Sequence, residues 1–349
     1  MKHIFFIHSH ITFFVSKQFV YDYNINPADC LFICARDYVL PSEYSNIFKN
    51  IIDYPTGIFP DKNFTILPNL NFIRGYRNIH VLDVVIKQFT KNDLFILYTL
   101  NTGTHLISAI VTMRQCNGYY LIEEGTSAYT NLKQLPRLYH KLSHRIIFFF
   151  LRPFFPRLFL LKDNVFSCST KYYLGTIATS KLAFLHFPKQ KIVVSNPFCT
   201  ITLPIKPDIV LSVDGLLLQY NIPLHIVEKI YLQILNIIKQ ENKTIVAYKF
   251  HPLFYNNHDL IISYRKLIMN IFGDSSYELP SNIVIENVLN TYHSDFYSDC
   301  SSVAIYAANF GVKCYSYAKV LTKLFPESTY SDEVFTNLPQ ILLESYIFI

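Results

Sequence analysis

Tyr120-Leu121-Ile122-Glu123-Glu124-Gly125-Thr126-Ser127-Ala128-Tyr129 reads as a buried strand that runs into two adjacent carboxylates and a glycine, where the chain must turn. This puts acids at the C-terminal end of a strand, the edge at which open α/β sheets hold their ligands. Successive residues of a strand point to opposite faces, so Glu123 and Glu124 need not share a role. One can face a cleft as a base while the other is fixed by backbone or a basic partner. The same residues also describe a plain strand-end turn carrying two solvated acids, and the rest of the chain has to decide between the two.

The chain has 349 residues, more than one core usually supports, so two domains of roughly 150 to 200 residues are expected. With 51% hydrophobic and 16% aromatic residues there is ample material for two cores. No apolar run approaches the roughly 20 residues needed to cross a bilayer, and the N-terminus lacks the pattern of a signal peptide. The seven cysteines are scattered, with no Cys-x-x-Cys pair and no Cys/His spacing suited to zinc. An odd count without an export signal points to reduced thiols in a cytoplasm. The net charge of +6 comes without a Lys/Arg stripe interleaved with aromatics, which argues against a nucleic-acid partner, though it still matters at an anionic membrane.

Strand and helix signals alternate outward from the opening stretch. Ile4–Ile7 reads as the first strand and ends in His8-Ser9-His10; residues 13 to 20 can wind as a helix, and Leu31–Ala35 is the second strand. Residues 36 to 77 give no clear assignment. A helix over 80–89 and a strand over 93–98 follow, which is the doubly wound rhythm. That strand empties into Asn101-Thr102-Gly103-Thr104-His105 before a helix over 105–115. Such a loop can offer backbone N–H groups and hydroxyls to a ligand, or be an ordinary turn. The segment 144–162 mixes aromatics with Arg152, Arg157, Pro153 and Pro156, so it is not a simple spanning helix. It suits the headgroup layer of a membrane, and equally a helix and turn packed within the protein or at a homodimer contact.

Pro204 and Pro207 place a linker, giving domains 1–200 and 201–349. The second domain opens with strand Asp208–Val213, ending at Asp214-Gly215. A helix over 223–241 carries Ile226, Ile230, Ile234, Ile237 and Ile238 on one face, with Pro223 in its first turn. Strand Lys243–Phe250 stops at His251-Pro252, and the proline holds His251 extended at the strand's end. A protonated His251 with Lys249 nearby would suit a phosphate, while a structural histidine explains the pair as well. A helix over 258–271 and a strand over 282–286 come next. The stretch from His293 then reads as a polar loop entering a small-residue helix that ends at Gly311, before strand Val312–Tyr317. Ser301 and Ser302 stand at that helix's start, where they can bind an anion or simply cap it.

An acidic pair followed by Gly (Glu123-Glu124-Gly125), then His251-Pro252, then Ser301-Ser302 resembles, in that order, the bacterial sialyltransferases with a GT-B-like fold. The resemblance is to glycosyltransferase family 52, the lipooligosaccharide sialyltransferases, and the capsular polysialyltransferases and multifunctional marine-bacterial enzymes share its logic. It spans most of the chain and implies two Rossmann-like domains facing a central cleft, the N-terminal one binding acceptor and carrying the base, the C-terminal one binding the CMP-sugar. It implies an inverting, metal-independent transfer of sialic acid from CMP-sialic acid to a hydroxyl of a galactosyl or sialyl glycan, with no cofactor. Glu124 would be the general base; His251 would hold the CMP phosphate and assist its departure, with Ser301 and Ser302 on the same phosphate. Candidate binding residues beside them are Asn101, Thr102, Gly103, Glu123, Gly125, Gly215, Lys249 and Pro252. The base is glutamate where many relatives have aspartate, and no Asp-x-Asp suited to a metal–nucleotide is found. A surface-glycan acceptor would make peripheral attachment to the inner membrane sensible, and relatives form dimers. A GT-B enzyme using another nucleotide sugar such as CMP-Kdo, or a silent glycan-binding protein of the same fold, would carry the same outline.

Overall fold

Strands of a parallel sheet are buried on both faces and read as unbroken apolar runs. Two sets of such runs, each interleaved with helices, build this protein. The computed structural model describes residues 1–35, 38–53, 70–102, 105–130, 166–326, 330 and 338–349, with backbone alone over 70–79 and 105–106. The segment 144–162 and Gly103 lie outside the described residues. The chain divides into two packed units, Met1–Pro197 and Phe198–Ile349.

The first unit runs β1 (Lys2–Ile7), α1 (His10–Asp22), β2 (Cys30–Cys34), β3 (Ile51–Asp53), α2 (Leu70–Thr90), β4 (Phe95–Thr99), α3 (His105–Val111), β5 (Cys116–Ile122), β6 (Tyr173–Ala178) and β7 (Gln190–Val193). Its seven strands are ordered β3-β2-β1-β4-β5-β6-β7, and every pairing is parallel. Ser9 starts α1 by accepting from Thr12 N at 3.4 Å while Thr12 Oγ1 accepts from Ser9 N at 3.2 Å, a reciprocal cap. α2 begins ten residues before the helix expected from the sequence (80–89), because the helix also takes in Leu70–Asn78, where Gly75 and the arginines Arg74 and Arg77 break up the apolar residues.

The second unit runs β8 (Ile209–Val213), α4 (Leu216–Gln219), α5 (Leu224–Gln240), β9 (Val246–Phe250), α6 (His258–Phe272), β10 (Ser276–Glu278), α7 (Ile285–Tyr292), β11 (Asp295–Ser298), α8 (Val303–Asn309), β12 (Cys314–Ser316), α9 (Ala318–Leu324), α10 (Gln340–Glu344) and β13 (Ile347–Phe348). Its parallel sheet is ordered β10-β9-β8-β11-β12-β13. α5 buries Ile226, Ile230, Ile234 and Ile238 at the expected spacing, and Pro223 is its cap rather than part of its first turn.

Two expectations fail in this unit. No strand forms over 282–286: Val284 and Val288 are buried one helical turn apart, Val284 caps α7, and the neighbouring strand is the short, polar β10. The supposed polar loop after His293 contains β11, which is buried throughout and central to the sheet. Its acid, Asp295, is neutralised by an ion pair with Lys243, which is why a polar residue can open a central strand.

All seven cysteines are free; five are buried, and Cys168 and Cys199 are half-buried. Burial pushes the Cys30, Cys34, Cys116 and Cys314 thiols up to about 12, and raises Cys300 as well. Among the described residues no helix is long and apolar enough to cross a membrane.

Candidate active site

In an all-parallel sheet, the residue that follows each strand falls on one edge. In the first unit the chain turns from β1 to β2 on one side and returns to β4 on the other, so the crevice outside the strand ends opens at β1 and β4. His8 follows β1, and Glu123 and Glu124 follow β5, on the far side of β4.

The two acids divide as strand alternation requires. Glu123 is fully buried: Oε1 accepts from Tyr129 Oη at 2.7 Å, and Oε2 accepts from Thr179 N at 2.6 Å and Thr179 Oγ1 at 2.9 Å. It is a structural carboxylate that ties the end of β5 to the residue after β6. Burial, then the neighbouring Glu123, drives the Tyr129 hydroxyl far above its ordinary value, so it stays a donor. Glu124 is open to solvent on one side (27% of its side chain) and pairs through Oε1 with Nε2 of His8, whose side chain is only 4% exposed. That His8 nitrogen has no other partner among the described residues. Gly125 then turns the chain at φ +49°, in the left-handed region where a side chain is strained, and opens a 3-10 turn over Gly125–Tyr129. Ser127 Oγ donates to Glu124 O at 2.7 Å and fixes the turn under the acid.

The loop after β4 serves the fold at one position. Thr102 is buried, and its hydroxyl accepts from Ser167 N at 2.9 Å, so it is turned inward rather than towards a ligand. Asn101 is half-buried, its carbonyl accepting from Thr99 Oγ1 at 2.9 Å.

In the second unit the crevice opens between β8 and β11. Across adjacent strand ends, β9-β8-β11-β12, the following residues are His251, Asp214, Asp299 and Tyr317. His251 is extended, as its proline requires (φ −63°, ψ 143°), and caps the 3-10 turn Pro252–Asn256. Leu253 N donates to its Nδ1 at 3.3 Å, which leaves the proton of the neutral ring on Nε2. The ring is packed on one flank and open on the other, and burial holds its pKa below the usual histidine value. Burial thus favours the neutral ring, with Nε2–H as its donor, over the protonated ring expected from the sequence.

Gly215 is the packed flank: a Cβ there would lie 2.7 Å from His251 Nδ1. Lys249 is not available to a phosphate, because its ammonium donates to Ser281 O at 3.1 Å and to Ile283 O, and burial lowers its pKa. Ser301 and Ser302 lead into α8: Ser301 Oγ accepts from Val303 N at 3.3 Å, and Ser302 Oγ makes no hydrogen bond among the described residues.

His8, Asp214, Asp299 and Tyr317 were not among the residues singled out from the sequence. The available signal was positional, since each directly follows a strand at the ligand edge.

These two units give the chain a GT-B-like fold of two Rossmann-like α/β domains. The sialyltransferase of Photobacterium damsela superposes with a TM-score of 0.51 at 10% identity, over 99% of this chain and 81% of that one. The GT-B domain of the Photobacterium damselae enzyme matches end to end, 100% of each chain, with a TM-score of 0.50 at 11% identity. A chain described as a UDP-N-acetylglucosamine 2-epimerase from Listeria monocytogenes gives 0.51 at 12% identity, covering 98% and 86%. No protein-family model matches the sequence, and no curated protein matches it.

Proposed function

We propose that this protein is an inverting sialyltransferase that moves sialic acid from CMP-sialic acid to a hydroxyl of a galactosyl or sialyl cell-surface glycan. The observation that carries the reading is the division of the acid pair: one carboxylate is locked in the fold and its neighbour is open at the ligand edge. A general base must be both ionised and reachable, and of the two only Glu124 is reachable.

In this reading the acceptor hydroxyl gives its proton to Glu124 as its oxygen bonds to the anomeric carbon. The bond from that carbon to the phosphate breaks, and its electron pair leaves on CMP. The transition state is oxocarbenium-like, so stabilising the departing phosphate is the other half of the work. His251 Nε2–H and the hydroxyls of Ser301 and Ser302 supply neutral donors for it, and no metal enters the scheme. His8 holds Glu124 by Oε1, leaving Oε2 for the acceptor. Cytoplasmic synthesis with peripheral attachment to the inner membrane fits such an acceptor, with 144–162 as either the membrane contact or a homodimer contact. Likeness to a UDP-sugar epimerase favours keeping a second reading, transfer from another nucleotide sugar.

The test is CMP release from CMP-N-acetylneuraminic acid with EDTA present, over a panel of galactosyl and sialyl acceptors, beside Glu124→Gln. Acceptor-stimulated release that falls by roughly 10²- to 10⁴-fold in the variant is expected for loss of a base. Release from CMP-Kdo or a UDP-sugar, with none from CMP-sialic acid, would replace the first reading by the second.

A further inference from the structure

Asp214 is 93% buried, yet it accepts from three different strand ends: Ser212 Oγ at 2.6 Å, Asp299 N at 2.6 Å and Tyr317 Oη at 2.9 Å. Its neighbour Asp299 is fully buried; among the described residues neither carboxyl oxygen has a well-formed hydrogen bond, and Tyr330 and Cys300 are the polar groups beside it. Two adjacent buried carboxyls do not both ionise, and the three donors all stabilise charge on Asp214. Burial raises both carboxyls, Asp299 is raised further by Asp214, and the three donors oppose the rise at Asp214, so the charge of the pair is favoured on Asp214 and the proton on Asp299.

The position of this anion matters more than its charge. The residue after Asp214 is Gly215, whose backbone packs against the His251 ring. The backbone N–H that Asp214 holds belongs to Asp299, two residues ahead of Ser301. His251 follows β9 on one side of β8, and the serines follow β11 on the other. We propose that Asp214 is the positioning residue of a phosphate site on this domain, fixing the turn against His251 and the turn bearing Ser301 and Ser302 in a single frame. The proposal rests on the reading of this domain as the nucleotide-sugar domain.

A merely structural carboxylate would affect all ligands alike, whereas a positioning group for phosphate affects the phosphate alone. The full-length protein is therefore titrated calorimetrically with CMP and with cytidine. For Asp214→Ala, CMP affinity should fall about 10- to 100-fold, the scale of a lost charge-assisted hydrogen bond, with cytidine affinity changed less than about threefold. Asp214→Asn should restore most of the CMP affinity. Its carbonyl can accept from Asp299 N and Tyr317 Oη, and its amide can donate to Ser212 Oγ.

Equal losses for CMP and cytidine, or unaltered CMP binding in folded Asp214→Ala, would overturn the proposal. If that variant does not fold, Tyr317→Phe replaces it, and an unchanged CMP-to-cytidine affinity ratio there would overturn it equally. A wild-type protein that binds neither CMP nor cytidine is tested with UMP and uridine by the same ratio. Binding of neither pair would remove the nucleotide reading and this proposal with it, an outcome distinct from intact CMP binding that ignores Asp214.

Discussion

Substituting Gly215 by alanine should separate geometry from stability at the donor site. The backbone there is ordinary (φ −64°, ψ −22°), so alanine brings no backbone strain. The difficulty is space: the new methyl would meet His251 Nδ1 at 2.7 Å, Cγ at 3.0 Å and Cε1 at 3.1 Å. Non-bonded carbon contacts settle near 3.5–4.0 Å, so the ring has to retreat by about 0.8 Å or more. Its other flank is open, and it can swing towards solvent at the cost of its bond from Leu253 N, held at 3.3 Å. An off-rotamer ring costs only about 1 kcal/mol, so the urea midpoint should hardly move. Displacement of a positioned group by about 1 Å can cost about 10²-fold in rate, and turnover should fall on that scale. The assay is CMP release beside urea unfolding, repeated on a His251→Ala background. There the methyl meets no ring, and Gly215→Ala should cause no further loss. Wild-type turnover in the single variant, or additive losses in the double, would refute the steric argument.

Glu123→Ala should unfold at markedly lower urea than wild type, by about 2–4 kcal/mol, because it strands Thr179 N–H and two hydroxyls. Glu124→Gln, which loses a partly exposed pair, should change stability by about 1 kcal/mol or less, so the two adjacent acids differ in opposite ways in stability and turnover assays. Asp299→Asn should gain stability relative to wild type as pH rises. Burial and Asp214 hold the folded-state pKa of Asp299 above its unfolded value, so the folded protein binds the extra proton. That contribution is intact below about pH 4, the unfolded value, and fades as pH climbs towards the raised one. Unfolding in urea from pH 4.5 to 8 measures it, and parallel curves for variant and wild type would show that Asp299 does not titrate as argued.

The alternation of strands and helices was legible because stretches such as Leu31–Cys34 and Ile209–Val213 are buried on both faces and must be apolar throughout. β11 was not, since it opens with Asp295, and the lysine that neutralises it lies far away in sequence. β10 has only Ser276, Tyr277 and Glu278, too short and polar to carry a period. The separate fates of Glu123 and Glu124 followed from strand alternation alone, a local rule. The partners of those acids did not: His8 reaches Glu124, and Asp214 reaches Asp299 and Tyr317, only because parallel strands bring distant segments to one edge. Lys249 shows the converse failure, since a lysine near a candidate anion site was claimed by carbonyls of a later loop.

The distribution of thiols makes the molecule its own labelling scaffold. Five sulfurs are buried, with burial keeping them protonated, while Cys168 and Cys199 are half-buried, one in each packed unit. A maleimide dye reacts with accessible thiolate, so brief labelling at neutral pH should select those two positions without any engineered cysteine. Donor and acceptor dyes on the native chain would then report the separation of the two domains, with and without CMP, as an energy-transfer efficiency.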